Sequence, residues 1–425
     1  MADAGRRSLF VSCHRLAYVA DRLFDNPANP ATMGNGSGRQ AALPSLPLAP
    51  MAIGQSDMMP NYYKIGIRSK VEFMYDSEIE SPWSLLNGHF DLSFVIVFLM
   101  PLLVFALCFN LLSSEREVGI QRMLLAQPLS IGTLCLGKLL PRAAILLLTA
   151  TVLPMLLLFT FRPEVRNTDQ IMPILSWVAI VLAYGGFWFA LAFAVNALRL
   201  SSATNSLILI AAWTLLVLVV PVLLDLVAEV LKPAPSRTQL AIQTRAIEAE
   251  NLRRYDDLFS GDYRYIADPA SLIAKNGRIE IPPRTRASFL AKRDMDKRID
   301  VVLDTFDTSL IEQQRVVDHL SLLSPSVIAY EAMTSLAGND GRRYLTFRQN
   351  VSKFHDNWRS FFTPRILGGV AFGQNDLAKL PLWHWTERSR SDASRDVRDR
   401  ILLLLLSSIL VGGAGIYSLR KYSIA

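Results

Sequence analysis

Residues 92–138 read LSFVIVFLMPLLVFALCFNLL from Leu92 to Leu112 and then SSEREVGIQRMLLAQPLSIGTLCLGK from Ser113 to Lys138. The first part has no charged side chain, and as a helix it is long enough to cross a hydrocarbon core of roughly 30 Å. In lipid every backbone polar group must be satisfied within the segment, so a helix is the form open to it. The second part is a polar break, and a further apolar run starts near Ala143. The chain is read here as crossing a membrane, turning in a short loop and crossing back.

The break has a pattern of its own. Ser113 or Ser114 can cap a new helix, with Glu115 and Glu117 in its first turn facing the positive end of the helix dipole. Ile120, Met123 and Leu124 then fall on one side before Pro128 stops the run. The pattern predicts a short amphipathic helix along the membrane surface, its polar face open to a soluble partner.

Composition places the rest of the chain in the same class. Of 425 residues 51% are hydrophobic and only 19% charged, and the apolar residues come in blocks, which fits an integral membrane protein with one sizeable water-exposed part. The net charge of +7, from 44 basic and 37 acidic residues, is spread without a long Lys/Arg run. It is a surface bias and no nucleic-acid footprint. Cys13, Cys108 and Cys135 allow neither a disulfide framework nor a zinc spacing.

Further spans are read at about 143–161, 171–195, 206–224 and 401–419, making five with 92–112. Arg116, Arg122, Lys138, Arg142, Arg199, Arg420 and Lys421 fall on one side of this arrangement, against Arg162 and Arg166 in the short loop opposite. By the positive-inside rule the break is cytoplasmic, with residues 1–90 and 232–399 outside. Asp91, Asp225 and Glu229 sit at span ends, where a carboxylate marks the helix meeting water; deep in the membrane it would be a functional candidate. Asn110 and Asn196 close their spans as helix terminators.

Residues 232–399 are too long for a structureless loop. Ser236 with Gln239 forms a capping box opening a helix to about Phe259, and Phe289, Ile299, Leu303, Phe306, Leu310, Val317 and Leu320 mark a second long helix. Ser324-Pro325 starts a third that Gly338 ends. Tyr344, Phe347, Val351, Phe354, Trp358 and Phe361 form an aromatic stripe that is expected to stop at Pro364. Such a stripe faces a core; a groove for apolar cargo is the other reading. Before the first span, residues 41–60 are expected to be irregular because of their prolines. Tyr63, Ile65 and Ile67, then Val71, Phe73 and Tyr75, suggest one or two short strands. No spanning helix is read in residues 1–90. The fold class is mainly α: a polytopic helix bundle (91–231 and 400–425) with a mostly helical outer domain (232–399) and a short β or irregular N-terminal segment (1–90).

No Gly-x-x-x-x-Gly-Lys-Ser/Thr loop occurs, so ATP, if it is used, is bound by another chain. His-Glu-x-x-His and Gly-x-Ser-x-Gly are missing too, and no catalytic residue, cofactor or metal is assigned. His384, between Trp383 and Trp385, and His355, beside Asp356, could each contribute to a metal or haem site. A lone histidine among aromatics is more often structural, since metal sites gather several ligands.

The segment Glu115-Arg116-Glu117-Val118-Gly119, with Leu124-Leu125, Gln127-Pro128 and Gly137-Lys138 behind it, resembles the coupling helix of ABC transporter permeases of the type-2 exporter class, departing from the commoner form at Ile120, where Thr is usual. Leu46 to Asp57, Asn87 to Asp91, Leu323-Ser324-Pro325-Ser326 and Trp358 to Phe362 resemble a subfamily with a large extracytoplasmic domain between its last two spans, a likeness that covers residues 41 to 425. Its members carry a membrane helix before the first extracytoplasmic segment, and none is read here. The resemblance implies an ATP-driven exporter of the bacterial inner membrane, multi-pass in the lipid bilayer. It implies a homodimer, or a heterodimer with a related permease, and an ATP-binding ABC subunit that engages Glu115, Arg116, Glu117, Gly119, Arg122, Gln127, Pro128 and Lys138. The cargo is not indicated. A membrane-anchored scaffold that recruits an extracytoplasmic partner is the alternative, and it leaves five spans with a patterned loop unexplained.

Overall fold

The computed structural model describes residues 29–36, 39–54, 56, 59–70, 90–120, 130–233, 236–255, 274–387 and 390–420. The readings that fall on residues 1–28, on Val71, Phe73 and Tyr75, on Arg122, Gln127 and Pro128, and on the end of the helix at Phe259 lie outside them. In chain order the main elements are α1 (Pro30–Gly36), β1 (Arg39–Ala42), β2 (Tyr62–Ile65), α2 (Leu92–Glu117), α3 (Ile131–Phe161), α4 (Ile171–Asn196), α5 (Ser202–Leu231), α6 (Arg237–Tyr255), α7 (Pro283–Leu320), α8 (Pro325–Ala337), α9 (Gly341–Gly368) and α10 (Arg390–Arg420). The protein is mainly α. Five helices, within α2, α3, α4, α5 and α10, are long and apolar enough to cross a membrane, and the chain is a multi-pass membrane protein.

The helix at α4 is the centre of the bundle. Trp177, Tyr184, Trp188 and Ala192 are fully buried along it, whereas α3 and α5 turn leucines such as Leu148, Leu156, Leu207 and Leu226 outward. Lipid tails are as apolar as those side chains, so the bundle is held by close packing and interhelical hydrogen bonds. Gly415 of α10 shows how close: a Cβ there would lie 2.7 Å from the Phe193 ring and 3.0 Å from the Ala194 Cα of α4.

Two of these helices widen into a π turn just before a proline, at Val95–Leu99 ahead of Pro101 and at Thr214–Val219 ahead of Pro221. Met100 and Val220 donate to the carbonyls five residues back, Val95 and Leu215. Proline has no N–H to continue the ladder. Side chains of neighbouring helices satisfy carbonyls in these turns: the Tyr184 hydroxyl donates to Val97 O at 2.8 Å, and Ser324 and Ser326 both donate to Leu216 O at 2.9 Å.

The outer region has its own core. Phe347, Val351, Trp358 and Phe362 of α9 are buried in one cluster with Tyr63 and Ile65 of β2 and Met33 of α1. The aromatic stripe therefore faces a core, and the N-terminal segment supplies part of that core. Tyr63, Ile65 and Ile67 share its buried face as the alternation predicts. The β1–β2 hairpin pairs Arg39 with Ile65 through Ala42 with Tyr62; no strand is expected from the sequence at β1. The Tyr63 and Tyr344 hydroxyls are 2.9 Å apart, and Trp358 Nε1 donates to Gly34 O at 3.1 Å.

Three helix boundaries follow their sequence signals. Ser236 and Gln239 exchange both capping-box bonds at 3.1 Å, Ser324 caps α8, and Gly338 ends it in the left-handed region. Three expectations are corrected. Pro364 does not stop α9, which runs on to Gly368 with the proline on its exposed side, where the ring meets solvent. The second long apolar helix starts at Ile131, not near Ala143, because Ser130 caps it by accepting from Thr133 N at 3.1 Å. And α8, although it lies within the outer stretch of chain, packs into the bundle core through Ile328, Ala329, Ala332 and Met333.

Candidate functional site

The polar break lies at one end of the bundle, where α2 ends, α3 and α5 begin and α10 finishes; Ser418 Oγ donates to Ala197 O there at 3.1 Å. The basic residues grouped by the sequence thus include Arg116, Lys138 and Arg199 at a common end. Asn196 and Asn205 form the inner layer of this site. Asn196 Nδ2 donates to Cys108 O and Ala192 O, both at 2.8 Å, and Asn205 Nδ2 donates to Asn196 Oδ1 at 3.3 Å and Phe109 O at 3.2 Å. Both residues are buried. Asn196 does more than terminate a helix: it ties α2, α4 and α5 together.

The outer layer is charged. Glu115 pairs with Lys138, whose ammonium also donates to Leu111 O at 3.1 Å. The Arg116 guanidinium donates to Arg199 O, and to Leu200 O at 2.9 Å; these carbonyls belong to a turn in which Arg199 has φ 64°. The Glu117 carboxylate accepts from Ser202 N at 2.7 Å and Ser202 Oγ at 3.1 Å. It therefore sits on the first turn of α5, where the helix dipole favours an anion, while Ser201 accepts from Thr204 N at 3.2 Å as the side-chain cap.

This geometry revises two expectations. Neither Ser113 nor Ser114 caps a helix: Ser113 Oγ lies 2.7 Å from Ser202 Oγ, and Ser114 Oγ donates to Asn110 O at 3.0 Å. The described part of the polar face is only partly open: Glu115 and Arg116 are half-buried, Glu117 is exposed, and all three make intramolecular contacts with Lys138 of α3, the turn before α5 and the first turn of α5. What also projects is apolar: Val118 is 71% and Ile120 46% exposed, on a turn that Gly119 makes possible with φ +81°. Lys138 and Gly137 lie in α3 itself.

Arg199, Ser202 and Asn205 were not among the sequence candidates. Ser201-Ser202 ahead of an apolar run is a readable capping signal; the partner of that cap, Glu117, lies 85 positions away in the sequence, which no local pattern encodes. At the opposite end Asp91 caps α2 by accepting from Phe94 N at 2.6 Å, and also accepts from Ile53 N at 2.7 Å. His355 is buried with Nε2 2.8 Å from Arg68 O, a structural position. Among the described residues no group of three or more His, Cys, Asp or Glu is placed to hold a metal.

No curated protein and no solved structure matched the chain. Residues 284–386 match a family described as "Domain of unknown function (DUF3526)". The matched stretch runs through α7, α8 and α9, so this multi-pass membrane protein carries a region similar to that family in the part that caps its bundle.

Proposed function

We propose that this chain is the membrane subunit of an ATP-driven ABC exporter of the inner membrane, which works as a dimer and receives its drive from a separate ATP-binding subunit docked at residues 113–138. One observation carries the reading. Glu115, Arg116 and Glu117 fasten the end of α2 to α3, to the turn after α4 and to α5, while Val118, Gly119 and Ile120 project from the same turn. A subunit that pushes on that tip moves several spans together. Alternating access is then a shift between two packings of the spans. The contact with the ATPase is apolar at Val118 and Ile120; the charges behind it transmit the movement.

The test is purification of the tagged chain in mild detergent with assay of ATP hydrolysis. An ATP-binding subunit is expected to accompany it and to be released by Ile120→Asp, with insertion unchanged. Gly119→Pro keeps the subunit from coupling, because φ near −65° cannot replace a left-handed turn. Recovery of an extracytoplasmic protein held by residues 232–399, with no ATPase, would instead support the scaffold reading.

A further inference from the structure

A chamber of about 1610 Å³ lies between the outer ends of α2 and α5 and the helices α6 to α9. Its floor is apolar: Phe94 and Phe98 of α2, stacked with centroids 4.8 Å apart, face Val217 and Leu224 of α5. These residues belong to the spans or border their π turns, so the floor stands level with the end of the hydrocarbon core.

Charge is uneven on the walls. Three of the lining guanidiniums are already engaged: Arg400 with Glu331, Arg342 with Asp318 at 3.2 Å, and Arg348 with Asp307 at 3.2 Å. Asp340, at the start of α9, sits in the field of Arg342 and Arg343. That leaves Asp225 and Glu229, one helical turn apart on α5, against Arg245 alone on α6; none of the three forms an ion pair among the described residues. Both carboxylates are exposed on the chamber wall, and with no cation paired to them among the described residues they give that wall a negative field complementary to a cation. Aromatic rings next to such a pair add attraction for a cation.

We propose that this chamber binds an amphiphile with a cationic head group, its apolar part on Phe94, Phe98, Val217 and Leu224 and its head at Asp225 and Glu229. The position at the membrane boundary favours an amphiphile over a wholly polar cation, since the floor gains by being covered with apolar surface. The inference stands apart from the coupling role, and its test needs no ATPase.

The full chain in nanodiscs of zwitterionic lipid is labelled with a diazirine analogue of dodecyltrimethylammonium, and the adducts are mapped by mass spectrometry. Labelling is expected on peptides bearing Phe94 to Phe98 and Pro221 to Glu229, competed by dodecyltrimethylammonium and not by dodecyl sulfate. The double variant Asp225→Asn, Glu229→Gln should weaken binding roughly tenfold, the factor that about 1.4 kcal/mol produces. Ala241→Trp, on the exposed α6 wall, should block labelling by filling the chamber in a protein that still folds. Equal competition by dodecyl sulfate, adducts confined to the lipid-facing leucines of α3, or unchanged binding in both variants would overturn the proposal.

Discussion

At one end of the bundle Glu117, Arg116 and Lys138 hold α2, α3 and α5 together with short polar contacts to backbone atoms and, for Lys138, to Glu115. At the other, Trp358, Phe347 and Phe362 hold α9 against β2 and α1 by burying aromatic rings completely. The two differ in what movement costs. Packed aromatic surface has one good arrangement and resists sliding, whereas a carboxylate on a helix N-terminus can exchange one donor for another at small net cost. A device that must switch is better built from the polar contacts, and a platform that must stay still from the aromatic packing.

The largest effect is expected where the aromatic core is cut. Trp358→Ala removes a ring with 0% exposure whose indole N–H also satisfies Gly34 O; loss of a buried tryptophan costs about 3–5 kcal/mol. Thermal unfolding followed by tryptophan fluorescence should show an early transition of the outer region, with the spans still inserted. A single late transition would mean that this core is not the platform described.

A second cut separates the N-terminal strand segment from α7 and α9. Lys70 is 1% exposed and reaches Asp300 at 2.7 Å and Asp356 at 2.9 Å. Burial works against its charge, yet the bonds to Asp300 and Asp356 hold its pKa above the ordinary lysine value of 10.5. A raised lysine pKa contributes stability that is fully present below 10.5 and is lost as pH rises through the folded value. Stability of the outer region should therefore be flat through neutral and mildly alkaline pH and fall only above 10.5. Lys70→Met should cost about 1–3 kcal/mol and abolish that alkaline step. The partly exposed carboxylates left behind can rehydrate, which keeps the loss below that of Trp358→Ala. An alkaline step of unchanged size in the variant would assign it to another group.

How much of this was legible beforehand follows the same division. The aromatic stripe of α9, the cap at Ser324 and the capping box at Ser236 are local patterns, and local patterns survive folding. The π turns at Val95–Leu99 and Thr214–Val219 are signalled only by the prolines behind them, and the carbonyls they offer find donors far along the chain. Residues Glu115, Arg116 and Glu117 were readable as a marked segment; their direction was not. Nothing local to the end of one helix tells that the start of another lies beside it, and the pairings of Glu117 with Ser202 and Lys138 with Glu115 are set by how the spans pack.

The smallest expected change in stability is at that end, and it is the one that separates switch from platform. Glu117→Gln keeps the shape of the side chain and an acceptor for Ser202 N, removing only the charge on the first turn of α5. Capping and dipole contributions at such a position amount to about 1 kcal/mol, so unfolding should shift little. Two packings of the spans that differ by a few kcal/mol are nonetheless rebalanced by that amount, because 1.4 kcal/mol is about a tenfold change in their ratio. Under the coupling role proposed above, ATP turnover by the complex with an ATP-binding subunit should then respond several-fold to a substitution that hardly alters melting, and Lys70→Met should do the reverse. If Glu117→Gln lowers melting as much as Lys70→Met does and leaves turnover alone, the polar contacts at this end are structural glue, and the movable joint of the bundle is to be sought in the π turns at Pro101 and Pro221.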